Sequence, residues 1–152
     1  MRTISYKRVQ RYLTLILLIL LVAEPCSGQS QQSEETLLED AVNNYYIKGL
    51  ESRNFALIES ICIDEAKLYG VRPDGSLGIT TLEKWSKRFD PENPPFKSLK
   101  SEITKVDVVG NAAQVKIRFL MDGREIYDLL NLFKIHGRWR IVNMIDYAGP
   151  NE

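Results

Sequence analysis

Apolar positions recur at spacings of three and four along Leu38, Ala41, Val42, Tyr45, Tyr46, Gly49 and Leu50. That stripe predicts an amphipathic helix of about four turns. Ser33, three residues before Thr36, and the acidic Glu34-Glu35 suit its first turn, where unpaired N–H groups favour oxygen and negative charge. Asn54 is placed to cap a second, shorter helix carrying Phe55, Ile58 and Ile61 on one side. Residues 66–71 predict a short strand, Pro73-Asp74-Gly75 a turn, and residues 77–79 a return strand. Thr80, with Glu83 three residues on, forms a capping box that opens a third helix through Trp85 to Arg88. Residues 90–95 (DPENPP) fit neither helix nor central strand and mark a loop.

From residue 99 the period changes from helical to alternating. Runs at 99–109, 112–121, 125–135 and 138–147 are rich in Val, Ile and Phe, and Gly110-Asn111, Asp122-Gly123 and His136-Gly137 separate them. Two-residue connections of this kind fix hairpin register, so four antiparallel strands follow three helices. The order is α+β, one domain over residues 36–148. Val115, Ile117, Phe119 and Met121 share one face of their strand, with Gln114, Lys116 and Arg118 opposite. The next strand is apolar on both faces: Tyr127, Leu129, Phe133 and Ile135 on one, Ile126, Leu130 and Leu132 on the other. Such a strand needs cover on both sides. Helices cover one face, and the expectation for the outer face is a second copy of the chain, giving a homodimer.

The first residues read as an address. Arg2, Lys7, Arg8 and Arg11 precede an uncharged apolar run at 12–23, and Glu24-Pro25 end it. This is the layout of a signal peptide over residues 1–28, with residues 29–35 (QSQQSEE) as a flexible leader. Twelve apolar residues reach about 18 Å as a helix, against a hydrocarbon core of about 30 Å, so no membrane attachment is expected after cleavage. Cys26 as a lipid-modified first residue is the less favoured alternative, because Ala23-Glu24-Pro25 poorly matches the small-residue box that such processing needs. The expected destination is periplasmic or secreted.

The 20 basic and 20 acidic residues of the whole chain balance only because of this segment. Beyond residue 28 there remain 16 basic and 19 acidic residues, a net charge of −3. A mildly acidic domain has no electrostatic hold on phosphate backbones, which argues against nucleic acid. Cleavage would leave Cys62 as the one cysteine, set in apolar surroundings with no adjacent base to activate it. With one histidine, His136, in a turn, the sequence shows no metal-ligand cluster, and no cofactor motif occurs.

Tyr46-x-x-Gly49, the step at Asn54-Phe55, DEAKL at 64–68 and DLLNLFKIHGRWRIV at 128–142 resemble the nuclear transport factor 2-like (SnoaL-like, cystatin-like) superfamily. More narrowly they resemble its bacterial lumazine-binding branch, over residues 36–148. The resemblance implies a cone, a strongly bent sheet wrapped round helices, with a pocket at its open end and frequent dimers. The superfamily includes ketosteroid isomerase and scytalone dehydratase. Counted without gaps, the resemblance places Tyr46 at the isomerase's oxyanion-hole tyrosine and Asn131 at its protonated aspartic acid. Its general base falls at Gly70, which has no side-chain acceptor. An oxyanion hole without a base stabilises a charge that nothing generates, unless Asp146 substitutes from the last strand.

The expectation is therefore an exported binding domain for a small apolar or aromatic molecule, leaning away from an enzyme. Tyr46, Asn131 and Asp146 are its polar handles, and Phe133, Val142, Met144 and Trp85 its walls. Trp139 is expected to pack on the sheet instead. A ligand-free dimerisation module and a sheet-carboxylate isomerase or dehydratase are the alternatives.

Overall fold

The computed structural model of the protein describes residues 32–93 and 95–149. The signal-peptide reading, the fate of Cys26 and most of the leader lie outside the described residues. Helix α1 has three contiguous stretches: α-helical Glu34–Ala41, π-helical Val42–Ile47 and α-helical Lys48–Glu51. Its start is capped as expected, Ser33 Oγ accepting the Thr36 N–H at 3.1 Å. Leu38, Val42, Tyr46 and Leu50, every fourth residue, are all buried. In a pure α-helix such a row drifts round the axis, and the wider π turn in the middle corrects the drift. The same turn expels Tyr45, expected on the buried stripe, which is 44% exposed.

Helix α2 (Phe55–Ile61) crosses α1 at Gly49, where a Cβ would come within 2.6 Å of Ile58 Cγ1 and 3.1 Å of the Asn54 carbonyl. Asn54 stands at the cap position but makes no side-chain capping bond. Its own N–H donates to the Gly49 carbonyl at 2.9 Å. Strand β1 (Cys62–Val71) begins earlier than the sequence pattern predicts, and β2 (Leu77–Thr81) returns beside it. Helix α3 (Leu82–Ser86) continues as a 3-10 turn over Lys87–Phe89. Its cap is Thr81, not Thr80, with Thr81 Oγ1 accepting the Lys84 N–H at 3.3 Å. Thr80 is engaged in the ladder opposite Leu68.

Strands β3 (Leu99–Val109), β4 (Ala112–Met121), β5 (Arg124–Ile135) and β6 (Arg138–Ala148) follow. The sheet order is β2-β1-β6-β5-β4-β3, with β1 parallel to β6 and every other pair antiparallel. The fold is α+β, N-terminal helices on a mainly antiparallel sheet. Asp122-Gly123 and His136-Gly137 have positive φ at both turn positions, the geometry that matches strand twist in tight hairpins.

Among the described residues three ladders shift register: β1 against β6 between Cys62 and Lys67, and two others by a single extra residue each. Asn131 pairs with Asn143 but Leu132 with Ile141, so Val142 is the extra residue of β6. Ile103 pairs with Ile117 and Lys105 with Lys116, leaving Thr104 extra on β3. Each bulge bends its strand and resets which side chains face the helices. Beyond the first, Ile141 and Met144 face inward although three residues apart, and both are buried. They join Val115, Ile117, Phe119, Leu130 and Leu132 of the sheet and Leu38, Val42 and Ile58 of the helices in one core.

Candidate functional site

One row of the helix-facing sheet surface breaks the apolar pattern. Asp128 of β5 pairs with Asp146 of β6 on one side and with Ile117 of β4 on the other. Directly opposed residues have Cβ atoms about 5 Å apart, so the two carboxylates are neighbours. The row ends on β1 at Gly70, where a Cβ would lie 2.7 Å from Asp146 Oδ1. The missing side chain is thus the space that the Asp146 carboxylate fills.

From the helical layer, Tyr46 donates its hydroxyl to Asp128 Oδ2 at 2.7 Å. Tyr46 is 1% exposed and Asp128 9%, and among the described residues Asp128 is the one charged side chain in the core. Burial pushes the Asp128 carboxyl up to about 6; the Tyr46 hydrogen bond opposes this and the Asp146 charge adds to it. Burial, then the charge of Asp128, holds the Tyr46 phenol well above its ordinary value, so it stays a donor. Asp146 stands exposed at the rim of this row. Its carboxyl is raised by partial burial, against the pull of Arg88.

An aromatic wall closes one side. Trp85 of α3 packs with its ring centroid 6.1 Å from Tyr46 and edge-on to Phe55 at 5.5 Å, and Phe89 continues the cluster. Arg53, at a positive φ of 51°, donates to the carbonyls of Arg88, Asp90 and Asn93 and lies over Phe89 and Phe96. It thereby fastens the segment that carries Arg88. Chemically the arrangement offers a phenol donor, a carboxyl poised near neutral pH and a second carboxylate open to the surface.

The sequence-derived candidates divide. Met144 and Asp146 face the helices from β6 and Tyr46 and Trp85 face the sheet from α1 and α3, and the structure brings Tyr46, Trp85 and Asp146 round Asp128. Asn131 and Phe133 do not belong with them. Strand alternation puts both on the outer face, where Phe133 is 47% exposed. Asn131 there accepts from Gln114 at 2.9 Å and donates to Asn143 at 2.6 Å, an amide ladder across three strands. Val142 is the bulge residue and is half-buried. Asp128 was the residue that sequence reasoning missed: it, and not Asn131, stands beside the Tyr46 hydroxyl. The signal was present: Ile126, Asp128, Leu130 and Leu132 alternate along one face of β5, and only one of them is charged.

Cys62 is 1% exposed and burial drives its thiol to about 12, too high for a nucleophile at neutral pH. His136 lies exposed in its turn. Among the described residues no group of three or more His, Cys, Asp or Glu side chains is arranged to hold a metal. Nor is any helix there long and apolar enough to cross a membrane.

Residues 33–145 match the family described as "Putative lumazine-binding". No curated protein matches the chain. Among solved structures, an NTF2-like protein of unknown function from Shewanella baltica OS155 aligns with a TM-score of 0.64 at 21% identity, over 97% of this chain and 99% of that one. One from Silicibacter pomeroyi DSS-3, also NTF2-like and of unknown function, gives a TM-score of 0.64 at 19% identity over 74% and 93%. A ketosteroid isomerase-like protein from Erwinia carotovora atroseptica SCRI1043 gives 0.60 at 14% identity over 78% and 99%. At these identities the likeness is one of fold.

Proposed function

Because the chain belongs to the lumazine-binding family of the nuclear transport factor 2-like superfamily, we propose that it binds a small, largely apolar or aromatic molecule. The ligand presents a hydrogen-bonding group to Asp146 and, behind it, to the Tyr46–Asp128 pair. The observation that carries this reading is Asp128 itself. A carboxylate inside an apolar row lowers stability, and an apolar residue of similar shape would serve folding at least as well. Perturbed, hydrogen-bonded carboxyls of this kind concentrate at functional sites. The aromatic cluster of Trp85, Phe55 and Phe89 beside these polar groups supports a ligand with an apolar or aromatic body. A thermal-shift screen of pteridines, flavins, steroids and polyketide-like aromatics tests it. Saturable stabilisation that disappears in Asp128→Asn supports the reading; no shift with any compound, or a shift unchanged in that variant, refutes it.

A second reading, proton transfer next to a carbonyl, is favoured by one specific observation. The resemblance puts a general base at position 70, and Asp146 projects its carboxylate into the space of that absent side chain. Asp146 would take the proton, and Tyr46 with protonated Asp128 would stabilise the enolate oxygen. Deuterium uptake at the α-carbon of a β,γ-unsaturated cyclic ketone, followed by NMR, decides it. Uptake must exceed the buffer rate and fall at least about 100-fold in Asp146→Asn.

Export and self-association complete the proposal. The basic cluster and apolar run at residues 1–28 support a periplasmic or secreted location. The outer sheet face, with Val71, Leu77, Ile79, Phe133, Ile145 and Tyr147 all exposed, supports a homodimer through that face.

A further inference from the structure

A polar row crosses the outer sheet face, one side chain from each of five neighbouring strands. Lys67 of β1 lies opposite Asn143 of β6, Asn143 opposite Asn131 of β5, Asn131 opposite Gln114 of β4, and Gln114 opposite Asp107 of β3. On β5 the row interrupts a series that is otherwise apolar, with Leu129 before Asn131 and Phe133 after it.

The row has a direction. Gln114 Nε2 donates to Asn131 Oδ1 at 2.9 Å, and Asn131 Nδ2 donates to Asn143 Oδ1 at 2.6 Å. Among the described residues this leaves Asn143 Nδ2, a donor, without a partner at one end, and Gln114 Oε1, an acceptor, without one at the other. The residue beyond each end carries the matching sign. Lys67 stands beyond the free donor and forms no ion pair among the described residues. Asp107 stands beyond the free acceptor, and its ion pair with Lys105, at 3.7 Å, is an exposed one of little strength. One end is therefore donor and cation, the other acceptor and anion, and Asn131 lies two strands from each.

The next step rests on the homodimer reading given above. We infer that the row sets the register of that dimer: a second copy lies face to face across a two-fold axis running along β5, its row reversed on this one about Asn131. Rotation about that axis exchanges β6 with β4 and β1 with β3. Asn143 Nδ2 then meets Gln114 Oε1 of the second copy, and Lys67 meets Asp107 of the second copy, each contact made twice. Strands in a sheet lie about 4.8 Å apart, so both charged ends are roughly 10 Å from Asn131 and match in span. The same axis sets Leu129 and Phe133 each against its own counterpart, so the apolar side chains of β5 cover one another. A two-fold axis across the strands would instead set Lys67 on Lys67 and Asp107 on Asp107. An apolar face alone fits itself in many registers, whereas amide ends and charges removed from water are satisfied in one.

Sedimentation equilibrium of the parent, of Lys67→Glu and of Asp107→Lys gives a dimer dissociation constant for each. Each substitution is expected to raise it at least about tenfold, because like charges then face each other twice. An equimolar mixture of the two variants should form a heterodimer of near-parent affinity, in which every acid again faces a base. Native mass spectrometry with one variant isotope-labelled counts it. Both positions are exposed, so the circular dichroism spectrum of each variant should match that of the parent. Undiminished dimerisation of either single variant, or a mixture that stays monomeric, overturns the register while the homodimer stands. A parent chain that sediments as a monomer overturns the homodimer reading and the register with it.

Discussion

Asp128 titrates inside the protein, and the direction of its shift fixes a pH dependence. Its carboxyl sits at about 6 in the folded chain, against about 3.9 when unfolded. Between those values the folded state binds the proton more tightly, so the group's contribution is largest below about pH 4 and is lost as pH rises through about 6. Asp128→Asn removes that loss. Chemical denaturation should show the variant more stable than the parent at pH 8 by on the order of 2 kcal/mol, the gap closing toward pH 4. Tyr46→Phe has the opposite profile: it strips the ionised carboxylate of its donor, costing about 1–3 kcal/mol at pH 8 and less at pH 5. The same residue shows where sequence reading fell short. Alternation along β5 already set Asp128 among Ile126, Leu130 and Leu132. An ungapped count from a distant motif fixed instead on Asn131, three positions away and on the opposite face.

At the level of elements, strands were the most legible. Period-two patterns ended by glycine-containing turns reproduce β3 to β6 to within one residue at either end, because tight hairpins leave little freedom of register. The irregularities were not legible. A constant helical period has no place for the π turn that turns Tyr45 outward, and strict alternation has none for the extra Val142. Both arise from fitting the element to its neighbours across the core, which the local pattern does not encode. The crossing of α1 and α2 depends on Gly49 in the same way. Gly49→Ala drives a methyl against Ile58 and the Asn54 carbonyl. It should cost about 1–3 kcal/mol in a denaturant titration despite alanine's better helix propensity. No loss would mean that the helices separate at little cost.

Across the whole molecule, two sheet surfaces of different character result. The inner one is closed by helices. The outer one exposes apolar side chains from β1, β2, β5 and β6 around the Gln114–Asn131–Asn143 ladder. It also carries a depression of about 380 Å³ where Asn131 and Asn143 meet Tyr69, Leu77 and Ile145. Sedimentation equilibrium at about 50 μM should give twice the monomer mass, and Ile145→Lys the monomer mass with an unchanged circular dichroism spectrum, since a charge at the centre of an apolar interface resists desolvation. A monomeric parent chain would leave the amide ladder as bracing within the sheet.

Positions 70 and 146 behave as a single choice made across two strands, vacancy on one and acid on the other. Exchanging them, Gly70→Asp with Asp146→Gly, should return a folded protein whose Asp128 titrates near its original midpoint. Gly70→Asp alone would crowd two carboxylates into room for one. Such reciprocity makes the glycine informative: where a chain of this architecture is bare at the first position, its acid should be sought one strand over.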